Sequence, residues 1–357
     1  MIVGYVFAQG VPLQPGQVDA HAMTRINYAF AVIKDSRVVL PEADDGTNLA
    51  QLTALRQQNP SLAILLSIGG WLGSGGFSDA ALNAQSRAVF ADSAVTLVTK
   101  YGLDGIDIDW EYPGLPGEGN RHRKEDKRNF TLLLKQMREK MTEVSKPMHR
   151  HLYLTIAAGA SAEFLDHTEM AQAAHFLDTV NLMTYDYYEA GSDKITGNHA
   201  PLFTNPQDPK QESADASVRA FETAGVPAGK IILGVPFYGR MWGDVADVNH
   251  GLFQPGRPIP NSYAPYNVIV ATMLSQGYER NWDAVSKVPN LFNRQKQIFV
   301  SYEDPESLTS KCEYVTAHKL GGVMFWSYFN DSSGDLLATI NRVLRPASSA
   351  AGANDPR

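Results

Sequence analysis

Residues 103–113 read Leu-Asp-Gly-Ile-Asp-Ile-Asp-Trp-Glu-Tyr-Pro, and the rest of the chain is best interpreted from this acidic stretch. The carboxylates of Asp107, Asp109 and Glu111 alternate with apolar side chains, which is the period of a β-strand, so all three point to one face. Residues two apart on a strand lie only about 6–7 Å apart. Because anions at that spacing repel one another, at least one should keep a proton near neutral pH, as a general acid requires.

Two simpler interpretations of the acidic stretch exist. Acidic residues can alternate on the solvent face of an edge strand, although Ile106, Ile108 and Trp110 would then form its whole buried face. A calcium loop of the D-x-D-x-D-G type needs glycine at its sixth position. Counting from Asp107, that position is Tyr112, which excludes the calcium loop.

The composition is that of a large, mildly acidic globular chain. It has 357 residues, 44% hydrophobic and 19% charged, with a net charge of -7, which fits one large barrel or two ordinary domains. Nothing in this balance indicates a nucleic-acid partner. The single cysteine, Cys312, excludes an internal disulfide and any site built from several cysteines. No apolar run approaches the roughly 20 residues of a membrane span, so no membrane partner is expected.

The two ends of the sequence carry little pattern. Residues 1–7 have neither a charged lead nor a small-residue cleavage site, so no signal peptide is visible. We expect a secreted, extracellular protein in its mature form, with a cytoplasmic protein as the alternative. Residues 347–357 are rich in Ala, Ser and Gly and are expected to be disordered.

Short apolar segments of strand character recur along the chain, and most are followed by a segment of helical pattern. The predicted strands are 2–7, 25–32, 63–68, 105–110, 152–157, 179–185, 230–236 and 322–327. The clearest predicted helices are 79–101, 124–143, 214–224 and 307–319. Eight strand–helix alternations predict an α/β protein, a TIM (β/α)8 barrel, whose chemistry takes place at the carboxyl ends of the strands.

One interval departs from this rhythm. About 85 residues separate the last two predicted strands, twice what one connecting helix needs. Within it, 237–249, 251–260 and 297–302 have strand character and 268–275 has helical character. We therefore predict a catalytic barrel of residues 1–237 and 303–346, with a small α+β insertion of residues 238–302 that walls the site.

Five short motifs lie at the ends of predicted strands. The pattern D-x-x-D-x-D-x-E is complete in Asp104, Asp107, Asp109 and Glu111. The other strand ends carry Ser67-Ile68-Gly69-Gly70, Met183-Thr184-Tyr185-Asp186, Pro236-Phe237-Tyr238-Gly239-Arg240 and Trp326. Over residues 2–344 the chain therefore resembles the family 18 glycoside hydrolases, the chitinases. The interval after Tyr238 resembles the insertion domain of the bacterial-type subfamily.

The resemblance implies a chitinase that cuts β-1,4 bonds between N-acetylglucosamine units with retention of configuration. The acetamide carbonyl of the substrate would attack the anomeric carbon and form an oxazolinium ion, while Glu111 would act first as acid and then as base. Asp109 would orient the acetamide, and Asp107 would share its proton. Tyr185 would hydrogen-bond the acetamide oxygen.

The resemblance also implies residues that bind or support the substrate. The substrate-binding residues would be Tyr5, Phe30, Trp71, Met183, Asp186, Tyr238, Arg240, Trp282 and Trp326. Asp104, Ser67, Gly69 and Gly70 would support the acidic strand. The expected partner is chitin or an N-acetylglucosamine oligosaccharide, bound by a monomer that needs neither a metal nor another cofactor.

Two departures from the family pattern concern the cleft. Many relatives carry Glu after the strand-end tryptophan, where this chain has Ser327. Many also carry a tryptophan in the loop after the M-x-Y-D motif, where this chain has Tyr187 and Tyr188 but no tryptophan. These departures weaken the case for a long, processive cleft and leave the catalytic step untouched.

Other functions would fit the same barrel. A non-catalytic chitin-binding lectin would have lost the acid, whereas Glu111 is intact. An endo-β-N-acetylglucosaminidase acting on glycoproteins is a second alternative, but Trp71, Trp326 and the insertion favour a cleft for several chitin sugars. A metal-dependent hydrolase has little support, because only His149 and His151 lie close together among the nine histidines.

Overall fold

The structure, a computed structural model, describes residues 1–345 and contains two β-sheets. The strands are β1 (Ile2–Phe7), β2 (Arg25–Lys34), β3 (Arg37–Val39), β4 (Ala63–Gly69), β5 (Gly105–Asp109), β6 (Tyr153–Gly159), β7 (Thr179–Met183), β8 (Ile231–Pro236), β9 (Tyr238–Gly243), β10 (Arg257–Pro265), β11 (Glu279–Asp283), β12 (Val288–Asn293), β13 (Ile298–Ser301) and β14 (Gly322–Trp326). The helices are α1 (Asp45–Ala54), α2 (Phe77–Ala80), α3 (Ala84–Tyr101), α4 (Asp126–Met148), α5 (Ala162–Asp166), α6 (Met170–Ala173), α7 (Ala214–Thr223), α8 (Tyr266–Val268), α9 (Pro305–Ala317) and α10 (Asp335–Leu344). The tail predicted to be disordered, residues 347–357, lies outside the described residues.

The first sheet closes into a barrel of eight parallel strands. Its hydrogen-bonded order is β1-β2-β4-β5-β6-β7-β8-β14, and β14 pairs back to β1. Strand β3 pairs with the end of β2 in antiparallel fashion, outside the barrel. The predicted TIM (β/α)8 barrel is confirmed, and all eight predicted strands form.

Strand β5 carries the acidic stretch, and its side chains alternate as predicted. Ile106 and Ile108 are fully buried on the outer face, and Trp110 stacks on Phe77 with ring centroids 5.2 Å apart. Each fully buried isoleucine contributes about 1.5–3 kcal/mol. A slip of one residue would expose this apolar face, so its burial fixes the register that directs Asp107 into the barrel.

The helix predicted for residues 79–101 is interrupted, which corrects that prediction. Helix α2 ends at Ala80, and α3 begins after Asn83, whose side chain accepts hydrogen bonds from the backbone N–H groups of Gln85 and Ser86. An asparagine that satisfies these donors starts a new helix. Apolar periodicity continues across the break, and for that reason it predicted one helix.

The second sheet lies between β8 and β14 along the chain. Its five antiparallel strands have the order β10-β9-β13-β12-β11. Strands β11 and β12 escaped prediction, because β11 begins with the polar residues Glu279, Arg280 and Asn281 and β12 contains Pro289. The helix predicted for 268–275 is the single turn α8 followed by a π-helical segment, Ile269–Met273.

The insertion is joined closely to the barrel. Only Phe237 separates β8 from β9, and its ring stacks on Phe325 of β14 with centroids 4.4 Å apart. This anchor holds Tyr238 and Arg240, which open β9, beside the ends of the barrel strands. Among residues 1–345, no helix is long and apolar enough to span a membrane.

Candidate active site

An open cavity of about 860 Å³ lies at the carboxyl ends of the barrel strands. Most of the predicted site residues line it together. They are Tyr5, Phe30, Gly69, Gly70, Trp71, Asp109, Glu111, Met183, Tyr185, Asp186, Tyr238, Arg240 and Trp326. The barrel thus brings together side chains that lie up to 321 residues apart (326 − 5) in the sequence.

Asp107 lies beneath the cavity and is fully buried. Its Oδ2 accepts hydrogen bonds from the hydroxyls of Tyr5 and Ser67, both at 2.8 Å. Its Oδ1 accepts from the Thr155 hydroxyl at 2.5 Å and from the Asn181 amide at 3.0 Å. Four hydrogen-bond donors thus converge on one carboxyl group. The predicted support from Ser67 is therefore a direct hydrogen bond.

Asp109 is held in place through its backbone. Its carbonyl oxygen accepts hydrogen bonds from Gly70 N–H at 3.0 Å and from the Ser74 hydroxyl at 2.7 Å. Within the described part of the chain, its Oδ1 is buried without a hydrogen-bond partner. Burial, together with the charges of Glu111 and Asp107, raises the pKa of Asp109 well above its usual range. The raised pKa favours the protonated form of Asp109.

Gly69 is required where β4 passes β5. Its φ of +114° lies in a region that side chains rarely adopt, and a Cβ there would meet the carbonyl oxygen of Asp109 at 2.2 Å. This close approach explains the glycine of the S-x-G-G motif. It brings the β4 loop to the backbone that carries the carboxylates.

Glu111 stands on the cavity wall, two residues beyond Asp109. Burial raises the pKa of Glu111 to about 7, and the anions of Asp186 and Glu189 add to the shift. At neutral pH such a carboxyl group is protonated in about half of the molecules. It can therefore donate a proton and later accept one.

Asp186 follows β7 and is bound to the insertion sheet. One oxygen accepts a hydrogen bond from the Tyr238 hydroxyl at 2.7 Å, and Arg240 donates to both oxygens at 2.8 Å. His199 Nδ1 lies 3.4 Å from the same carboxylate. Burial opposes the charge, but the hydrogen bonds from His199 and Arg240 hold the pKa of Asp186 well below its usual range. Asp186 is thus a fixed anion near Glu111.

Aromatic rings form one end of the cavity. Trp326 stacks on Phe30 with centroids 5.5 Å apart, and it lies 5.7 Å from Tyr5 and 5.5 Å from Phe7. Such a platform suits the apolar face of a sugar ring. Burial, followed by the charge of Asp109, raises the pKa of Tyr185 well above its usual range, so that its hydroxyl group remains a donor.

Trp71 lies on the rim of the cavity, with 51% of its surface exposed. Its Nε1 donates to Glu118 at 3.1 Å, and its ring meets that of Tyr112 edge-on at 5.3 Å. Tyr187 and Tyr188, in the loop that lacks the family tryptophan, are 7% and 0% exposed. Neither provides a second sugar platform.

Two predicted site residues lie elsewhere. Trp282 is on β11, the far edge strand of the insertion sheet, where the guanidinium of Arg280 covers its ring at 5.4 Å. Asp104 precedes β5 and accepts hydrogen bonds from Arg56, Arg150 and the backbone N–H of Ile64 on β4 at 2.5, 2.9 and 2.8 Å, so it fixes the start of the acidic strand without contacting the carboxylates. Sequence spacing did not reveal on which edge of the sheet, or at which end of the barrel, these residues lie.

Several residues at the cavity escaped prediction. Phe7 could have been found, because it shares the inward face of β1 with the predicted Tyr5. Tyr263, whose ring stacks on that of Tyr238 at 4.5 Å, and Glu189, 3.0 Å from Arg240, come from loops and edges without a pattern in the sequence.

The positions of the possible metal-binding side chains were also compared. Among residues 1–345, no group of three or more His, Cys, Asp or Glu side chains is arranged to hold a metal ion.

Comparison with known proteins begins with the sequence. The profile of glycosyl hydrolases family 18 matches residues 1–331. The chain is 40% identical to chitinase A1 of Niallia circulans over 84% of its own length and 44% of that protein, so it spans less than half of that relative. It is 32% identical to chitinase B of Serratia marcescens, over 92% of this chain and 77% of that protein.

Solved structures agree with the sequence comparison. A family 18 N-acetylglucosaminidase from Paenibacillus barengoltzii is 42% identical, with a TM-score of 0.89 over 96% of this chain and 99% of that chain. Chitinase ChiA74 from Bacillus thuringiensis is 31% identical, with a TM-score of 0.90 over 96% of this chain and 69% of that chain. The fold, the strand-end motifs and these matches lead to one conclusion: the chain belongs to glycosyl hydrolases family 18.

Proposed function

We propose that this protein is a chitinase, which hydrolyses the β-1,4 bonds between N-acetylglucosamine units of chitin or its oligosaccharides. The observation that carries the proposal is Glu111, a carboxyl group with a pKa of about 7 in a cavity floored by aromatic rings. The names of the matched relatives, chitinase A1 and chitinase B, support chitin as the substrate.

In the first half of the reaction, Glu111 donates its proton to the glycosidic oxygen. The acetamide oxygen of the sugar on the Trp326 platform attacks the anomeric carbon as the bond to the leaving sugar breaks. An oxazolinium ion forms, and the leaving sugar departs with the proton from Glu111. This division of labour explains why one proton donor is enough, with no second carboxylate as nucleophile.

Asp109 and Asp107 stabilise this intermediate. Asp109 contacts the acetamide group and directs the acetamide oxygen toward the anomeric carbon. The negative charge on Asp109 can grow as the sugar ring becomes positive. Asp107, which lies beneath the reacting sugar, can accept the proton that Asp109 then releases.

In the second half, the carboxylate of Glu111 takes a proton from water, and the resulting hydroxide attacks the anomeric carbon. The oxazolinium ring opens, the acetamide is restored and Glu111 is protonated again. Because the carbon is attacked twice from opposite faces, its configuration is retained.

The other wall residues bind sugars. Trp326 stacks on the reacting sugar, and the Tyr185 hydroxyl donates to its acetamide oxygen. Trp71 stacks on the leaving-group side. The remaining contacts are assigned to Tyr5, Phe30, Met183, Asp186, Tyr238 and Arg240, while Ser67, Gly69 and Gly70 support the acidic strand.

The insertion forms one wall of the proposed site. Residues 238–302 form the wall that carries Tyr238, Arg240 and Tyr263 beside the barrel of residues 1–237 and 303–346. The proposed protein is a monomer, in which one chain supplies every proposed site residue. It acts outside the cell, where insoluble chitin is found.

An N-acetylglucosaminidase that acts on short oligosaccharides is the second candidate. The match to the Paenibacillus barengoltzii N-acetylglucosaminidase over nearly the whole of both chains favours it. The burial of Tyr187 and Tyr188 also favours it, because the leaving-group side then has few platforms.

A product profile tests these proposals. Chitin oligomers of defined length are incubated with the protein, beside a high-mannose glycopeptide, and the products are separated by size. A chitinase releases mainly dimers from longer oligomers, whereas an N-acetylglucosaminidase releases monomers. Cleavage of the glycopeptide alone would overturn both, and binding without cleavage would indicate a lectin.

A further inference from the structure

Arg25 is a buried cation in the barrel interior, beneath the carboxylates. It opens β2 and is 2% exposed. Its guanidinium donates to the Thr179 hydroxyl at 3.0 Å and to Asn181 Oδ1 at 2.8 Å. Among residues 1–345, it forms no direct salt bridge with a carboxylate, although burying a guanidinium in the core is costly.

The charged and titratable groups around Arg25 come from three strands, the residue before β7 and the chain terminus. They are Asp107 on β5, Tyr5 on β1, Tyr153 on β6, Asp178 before β7 and the amino group of Met1. Burial lowers the pKa of the Arg25 guanidinium, while Asp107 acts in the opposite direction ahead of the other groups. Asp107 is therefore the main counterion of Arg25, although one residue lies between them.

Asn181 is the residue between them. Its Oδ1 accepts from Arg25, so its Nδ2 must face the other way, where it donates to Asp107 at 3.0 Å and to the Tyr5 hydroxyl at 3.2 Å. Without Arg25, the amide could rotate and present its oxygen to the carboxylate. The guanidinium thus fixes the orientation of the donor that Asp107 receives.

We infer that Arg25 is a positioning residue for the proposed hydrolysis, on which this inference rests: through Asn181 it keeps an N–H donor directed at Asp107, and so favours the proton of the Asp107–Asp109 pair on Asp109. A neutral Asp109 adds no repulsion to the acid two residues further on. Arg25 would then influence the pKa of Glu111 from beneath the carboxylates, without touching the substrate.

The sign of the expected effect follows from the charges. If the cation is removed, Asp107 can take the proton and leave Asp109 as an anion beside Glu111. Both the lost positive charge and the new negative charge disfavour ionisation of Glu111, so its pKa rises. Glu111 must be protonated to act as the acid, and the basic limb of the kcat/KM profile therefore moves to higher pH.

The test is the pH profile of kcat/KM on chitotetraose for Arg25→Met, Arg25→Lys and a control, Arg138→Met. Arg138 is a partly buried arginine of α4 that binds Asp178 away from the cavity. In Arg25→Met the basic limb should move up by about one pH unit. Arg25→Lys keeps the charge and should restore most of the wild-type limb. Arg138→Met should lose stability without a shift.

Two results would overturn the inference: an unshifted limb in Arg25→Met, or an equal shift in Arg138→Met.

Neutron diffraction on deuterated wild-type crystals provides a measurement that needs neither turnover nor a variant. The deuteron should lie on Asp109, and a deuteron on Asp107 would overturn the inference. A wild-type protein that fails to cut chitotetraose defeats the proposed function instead, and the neutron result still tests whether the proton lies on Asp109, as the role of Arg25 requires.

Discussion

Asp107, Asp109 and Glu111 have similar side chains at alternate positions along and just beyond β5, yet their surroundings differ. Asp107 accepts four hydrogen bonds, whereas Asp109 Oδ1 accepts none within the described residues. Glu111 lies between these cases, because burial and two neighbouring anions raise its pKa to about 7. Environment, and not residue type, separates the proposed acid from the residues that support it.

Replacement of Glu111 by Gln tests the acid directly. The amide keeps the shape of the side chain but can neither donate the proton nor accept it later. We expect kcat to fall by about 10³-fold or more, with binding of chitotetraose nearly unchanged. Turnover near that of the wild type would exclude Glu111 as the acid.

Glu189→Gln tests the electrostatic environment of Glu111. Removing an anion makes ionisation of Glu111 easier and lowers its pKa, so the basic limb of kcat/KM should move down by roughly half a pH unit. High salt should shrink the shift. Glu42→Gln is the matched control, because Glu42 lines the same cavity but does not contribute to the raised pKa of Glu111. A shift to higher pH would contradict this reasoning.

The positions of site residues were predictable from the sequence where a strand determined them. Period two placed Asp107 and Asp109 on the inward face, and the strand-end motifs located Tyr185 and Trp326. Glu189 was beyond prediction, because its place beside Arg240 depends on how a loop without periodicity folds. Trp282 was misplaced because any aromatic residue of the insertion looked equally suitable as a sugar platform.

At the scale of elements, helix α9 ties the insertion sheet to the barrel. Glu303 follows β13, and its carboxylate pairs with the ammonium of Lys311 on α9, with both side chains fully buried. Lys311 also donates to the carbonyl oxygen of Ala200 at 2.6 Å, and Ser307 donates to Glu303 at 2.6 Å. The pair is well satisfied where it stands, but each charge depends on the other.

Lys311→Met should therefore lower the free energy of unfolding by about 3–5 kcal/mol, because it leaves the Glu303 charge buried and unpaired. The double variant Lys311→Met/Glu303→Leu should recover a large part of that loss. Denaturant unfolding measures both. Lys135→Met is the control, since its pair with Glu139 is exposed and should contribute less than about 1 kcal/mol. A double variant less stable than the single one would contradict the expected coupling.

Elements were predictable in proportion to their burial. The barrel strands are continuous apolar runs, because both of their faces are covered, and all eight were found. Strand β11 is a polar edge strand, and β12 contains Pro289, so neither carries the pattern of a strand. The break before α3 depends on the side chain of Asn83, a single polar residue inside an otherwise continuous apolar period.

At the scale of the whole molecule, closure of the barrel creates the site. Tyr5, Asp107 and Asn181 come from β1, β5 and β7, and they meet in one hydrogen-bonded group only because the strands form a ring. The sequence predicted the ring from its eight alternations. It could not predict the distances across the ring, on which the hydrogen bonds of this group depend.

The most direct measurement is the hydrolysis of chitotetraose beside that of the same tetramer without acetyl groups, followed by proton NMR that resolves the anomers. The acetamide oxygen is the proposed nucleophile. The acetylated tetramer should therefore be hydrolysed faster than the tetramer without acetyl groups by a factor of about 10³ or more. The β-anomer should form first. Similar rates on both tetramers, or first release of the α-anomer, would contradict substrate-assisted hydrolysis by this protein.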